Sequence, residues 1–74
     1  KMNTQALINT IEEKYVKRSK ENLSSSKIYL DSINFEKLSF YIKEQFGLQP
    51  RDTFMWAGLQ VHKVYTLEEH IEVF

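Results

Sequence analysis

The run Thr53-Phe-Met-Trp-Ala-Gly-Leu-Gln-Val-His-Lys-Val-Tyr65 constrains this chain most, because two alternating apolar segments flank Ala57-Gly58 and read as a β-hairpin. A two-residue hairpin loop needs φ > 0 at one central residue at least, which glycine adopts without strain. Pairing outward from that loop sets Trp56 opposite Leu59 and Phe54 opposite Val61, a continuous apolar face. Thr53, Met55, Gln60 and His62 fall on the other face.

Two helices precede the hairpin. Leu7, Ile8, Ile11 and Tyr15 recur at three- and four-residue steps, so residues 4–22 are expected to form a helix capped by Asn3 or Thr4, with Val16 off its apolar stripe. Leu23-Ser-Ser-Ser26 breaks that pattern, since serines compete for backbone hydrogen bonds and bury little; residues 24–26 read as a short linker. Lys27-Ile-Tyr-Leu30 reads as a short strand. For the second helix, Asn34 is the expected N-cap, with Ile33 and Leu38 at the spacing of a hydrophobic staple. Gly47 and Pro50 mark its end, with Leu48 folding back on Ile42. Phe35, Leu38, Ile42 and Phe46 share one apolar arc, and Phe40 points about 140° away from Phe35 on a helix of roughly 100° per residue.

Beyond the hairpin, Thr66-Leu-Glu-Glu69 has the spacing of a capping box and predicts one helical turn. Ile71-Glu-Val-Phe74 alternates and is expected to return as a third antiparallel strand, making 53–74 a meander. The order is therefore α-β-α-β-β-β. It specifies a single small α+β domain over residues 1–74, with two helices on one face of a mainly antiparallel sheet of three or four strands. A right-handed parallel crossover from strand 27–30 to strand 53–56 would make the sheet mixed.

At 74 residues, a chain buries only roughly 60% of its unfolded surface, and association is one way to add to so small a core. The absence of cysteine removes disulfides and thiolate metal sites. Ten basic and ten acidic residues cancel, so no global field draws the protein to nucleic acid or an anionic membrane, although residues 1–30 carry net +3 and the remainder −3. No apolar stretch approaches the ~20 residues of a membrane span, and a cytoplasmic location is expected. The Lys-, Ile-, Asn- and Glu-rich composition suggests a bacterial or bacteriophage source. Lys1 ahead of Met2 reads as an added residue, with Met2 the natural start.

His62 and His70 read as surface or boundary side chains, and no HExxH, GxSxG, GxGxxG or P-loop pattern occurs. No catalytic residue, cofactor or metal is expected. What stands out is the aromatic content, five Phe, four Tyr and one Trp, more than so small a core readily hides. The expected activity is non-enzymatic: contact with a partner protein, as a homodimer or as a modulator of a larger protein, through Phe40 and Tyr41 with Lys37 and Glu44 around them. The alternative is nucleic-acid binding through the basic end of the first helix, Lys14, Lys17, Arg18 and Lys20. Cations at a helix C-terminus also serve the helix itself, by facing the negative end of its dipole.

Overall fold

In the computed structural model, which describes residues 3–50 and 52–74, Asn3 caps helix α1 (Thr4–Lys20) by accepting the Ala6 N–H at 2.7 Å. Lys1 and Met2 lie outside the described residues, and with them the expectation about the natural start. α1 buries Leu7, Ile8 and Ile11, but Tyr15 is exposed, standing with Val16 on the wall of an open groove whose other side is Trp56, Ala57 and Leu59. The Arg18 guanidinium then holds the serine linker, donating to Ser24 O at 2.6 Å and Ser25 Oγ at 2.9 Å.

Strand β1 (Lys27–Asp31) leads directly into helix α2 (Ser32–Phe46). The N-cap is Asp31, not Asn34: its carboxylate accepts the Asn34 N–H at 3.1 Å and the Asn34 side-chain amide at 2.7 Å. The apolar residues flanking that cap, Leu30 and Phe35, are both buried, so the staple sits there and Ile33 is left exposed. Gly47 ends the helix in the left-handed region at φ 69°, as expected. Phe46 and Leu48 are exposed, so the core side of α2 narrows to Phe35, Leu38 and Ile42.

Strands β2 (Thr53–Trp56) and β3 (Leu59–Val64) form the hairpin in the register read from the sequence, Trp56 on Leu59 and Phe54 on Val61. Both turn residues have positive φ, Ala57 at 51° and Gly58 at 81°, which is a type I′ turn. A Cβ at Gly58 would meet nothing within 4 Å, so substitution there strains the backbone alone. Gly58→Val is expected to cost about 1 kcal/mol or more, while Ala57→Asn, which relieves the left-handed alanine, should stabilise by a few tenths to about 1 kcal/mol. Thermal melts of the two variants check both signs, and unchanged melts would place the turn elsewhere.

The four strands are ordered β2-β3-β1-β4, with β4 spanning Ile71–Val73. The sheet is mixed: β3 runs parallel to β1, whereas β2 is antiparallel to β3 and β4 antiparallel to β1. Two expectations are thereby corrected. The parallel neighbour of β1 is β3 rather than β2: β3, six residues long, pairs along all five residues of β1, which the four-residue β2 is too short to do, and Leu59 and Val61 are buried there while Phe54 and Trp56 at the edge are half-buried. Residues 53–74 are not a meander either, since β1 already occupies the far side of β3 and sends β4 to its own other flank. The connection from β3 to β4 therefore crosses the end of β1. Thr66–Glu69 contains bends rather than a helical turn, and Asp31 accepts the His70 N–H of this strap at 2.9 Å.

Both helices pack on the face carrying Ile28, Leu30, Leu59, Val61 and Val73, where one buried cluster joins them to the sheet. Among the described residues, no helix is long and apolar enough to cross a membrane.

Candidate functional site

Helix α2 is amphipathic in an unusual way. Phe35, Leu38 and Ile42 fill the side toward the sheet, and diametrically opposite them Ile33, Lys37, Phe40 and Glu44 fall within an arc of about 60° at roughly 100° per residue. Phe40 is 64% exposed and Ile33 56%. Thr4, at the start of α1, joins Ser32, Ile33, Lys37 and Phe40 around a shallow groove of about 500 Å³. Two large apolar side chains thus stand seven residues apart, one above the other, with a cation and an acid between and beyond them. The stripe is fixed by its own helix ends, Asp31 and Gly47, so its geometry does not depend on a loop.

Of the four residues expected to meet a partner, Phe40, Lys37 and Glu44 share this stripe. Tyr41 does not belong to it: it is half-buried and packs edge-to-face on Trp56, ring centroids 5.8 Å apart, at the margin of the core. Ile33 takes its place. The signal for it was the seven-residue spacing to Phe40, masked by the staple assigned to Ile33.

The basic end of α1 is less uniform than its sequence. Arg18 is engaged with the linker. Lys17 and Lys20 share a groove with Glu12 and Glu13, while Lys14 and Lys17 stand beside Glu21 and Glu72 on another side. The surface there carries both signs.

The sheet face turned away from the helices carries a line of rings from β3 across β1 to Phe74, just past the end of β4. Tyr29 meets His62 edge-on at 5.3 Å between ring centroids and Phe74 at 5.2 Å. The histidines stand apart, His62 beside Gln60 at 3.0 Å and His70 beside Glu72 at 2.8 Å. Among the described residues, no group of three His, Cys, Asp or Glu side chains is placed to hold a metal ion.

Asp31 is the other charged feature. Burial opposes its ionisation, but the N–H groups of His70 and Asn34 and the Asn34 amide outweigh burial and hold its pKa below the usual carboxylate value of 3.8. Its partners are the cap of α2 and the β3–β4 strap, so its work is architectural. No family model, curated protein or solved structure matches this chain.

Proposed function

We propose that this protein is non-enzymatic and acts by contact, docking a partner protein against the outer face of α2. The exposure of Phe40 and Ile33 on one rigid helical stripe carries this reading. A helix that anchors in a groove does so through apolar residues at such spacings, and Lys37 and Glu44 supply the polar surround of a small interface. Neither Phe40 nor Ile33 contributes to the buried cluster, so neither has a stabilising task in the isolated chain. The small size of the core fits the same picture, because as many large hydrophobic residues are exposed as are buried among the described residues. In this reading the protein works in the cytoplasm of a bacterium, or of a cell infected by a phage. The mixed charge around Lys14, Lys17 and Lys20, with Arg18 committed to the linker, gives the nucleic-acid alternative less support.

A photo-crosslinking phenylalanine analogue at position 40 tests the proposal in lysate of the source organism. The expected result is a covalent adduct with a distinct protein, absent when the probe replaces Glu13 on the solvated face of α1. Equal labelling from both positions, none from position 40, or adducts to nucleic acid alone would reject it.

A further inference from the structure

The outer edge of β2 pairs with no strand among the described residues and opens onto a groove whose other wall is Ile42, Leu48, Gln49 and Pro50. Gln60 donates its N–H to Ser26 O at 2.8 Å and so faces β1; its cross-strand partner Met55 therefore turns its own N–H and C=O outward, as does Thr53 two residues earlier. Sheet edges are commonly blunted by lysine, proline, a bulge or a covering helix. Thr53–Trp56 has no charge and no proline, its ladder to β3 runs without a bulge, and α2 meets its face, through Phe35 on Phe54 and Tyr41 on Trp56. The opposite edge is protected: β4 is three residues long, carries Glu72 and lies under α1.

We propose that a second copy of this chain pairs with β2 antiparallel, about a two-fold axis at Phe54, joining two four-stranded sheets into one. In that register Thr53 faces the partner's Met55 and Met55 faces the partner's Thr53, so every outward N–H and C=O of these residues is matched. Phe54 meets the partner's Phe54 in the closer, non-hydrogen-bonded pair, where aromatic side chains interact well. The axis is perpendicular to the sheet, which keeps the helices of both copies on one side. Phe54 and Trp56 are half-buried, resting on Phe35 and Tyr41 of α2, and the surface that Phe54 leaves open toward the edge is covered by the partner's Phe54.

Charge favours a second copy as the occupant. The strand is neutral, the chain nets to zero, and Asp52 falls opposite the partner's Trp56 rather than another acid, so two copies approach without repulsion. Such an isologous contact is self-complementary and closes at two. The inference rests on the reading of this protein as one that acts through protein contacts, but it uses a surface separate from Phe40.

Amide hydrogen exchange on the wild-type chain between about 1 μM and about 1 mM tests it, the range in which small interfaces assemble. Protection at Thr53 and Met55 should rise by about ten-fold or more across that range, while Phe54 and Trp56, already bonded to β3, should not change. Sedimentation should show mass moving from 8.8 kDa toward twice that value. Met55→Pro removes an outward N–H without touching the β2–β3 ladder, and should give a folded monomer with an unprotected Thr53. Unprotected Thr53 and Met55 amides at the highest concentration, or a Met55→Pro protein that still dimerises, would overturn the proposal; if that variant fails to fold, the wild-type exchange decides. Phe40→Glu should leave the dimer intact. Loss of the edge dimer with Phe40 adducts retained rejects this inference alone, and the converse rejects the α2 reading alone.

Discussion

Replacing Asp31 with alanine is expected to destabilise the protein by about 3 kcal/mol, from a lost helix cap worth about 1 and buried donors left unpaired at roughly 1 to 3 each. Three donors converge on this one carboxylate: the N–H of Asn34, the side-chain amide of Asn34 and the N–H of His70. Asn34 is itself buried, its Oδ1 has no donor among the described residues, and its amide reaches only Glu69 besides, at 3.5 Å. The alanine variant therefore loosens both the start of α2 and the strap to β4. For a domain of this size the melting temperature should fall by roughly 12 to 24 °C. A loss below about 1 kcal/mol would mean that water satisfies these donors without the carboxylate.

The same residue sets a pH dependence. Its pKa is 3.8 when unperturbed and lower in the fold, so its stabilising contribution is complete above about pH 4 and is lost as pH falls through the folded value. Asp31→Asn should be less stable at neutral pH and should lack this part of the acid limb. Urea titrations of both proteins from neutral pH downward measure it.

Asp31 also shows where reading the sequence succeeds and where it stops. Both Asp31 and Asn34 are good caps, and local spacing favoured Asn34 because Ile33 and Leu38 mimic a staple. What selects Asp31 is the His70 N–H, 39 residues away, which arrives only after β4 has crossed the end of β1. The hairpin was legible to the residue because its pairing and turn are local, as was the end of α2 at Gly47. Strand order was not, since the pairing of β1 with β3 joins residues far apart in the chain, such as Ile28 and Val61, and no local spacing encodes it. Thr66-Leu-Glu-Glu69 carries a helix-start pattern, yet its six-residue connection must bridge β3 and β4 across β1, and that demand wins over the capping box. Phe40 was legible from the helical period alone; Ile33 beside it was not, having been assigned to a staple with Leu38.

The largest effect on association is expected from Phe40→Glu. A phenylalanine that is 64% exposed on a charged stripe loses no buried contact when replaced, and glutamate is at least as good a helix former, so the fold should stay within about 0.5 kcal/mol of wild type. Binding should suffer far more, by about 2 kcal/mol, the scale of an interface hot spot, because an acid replaces the apolar anchor and must be desolvated beside Glu36 and Glu44. Ile33→Glu should act in the same direction, and Tyr41→Phe should leave binding unchanged.

The most direct test of this account is affinity capture of the partner identified through position 40, by wild type and by Phe40→Glu, with circular dichroism on the same samples. The account predicts superimposable spectra and a partner affinity reduced about thirty-fold, which corresponds to about 2 kcal/mol. A folded variant that captures the partner as well as wild type, or a variant that has lost its folded spectrum, would contradict it.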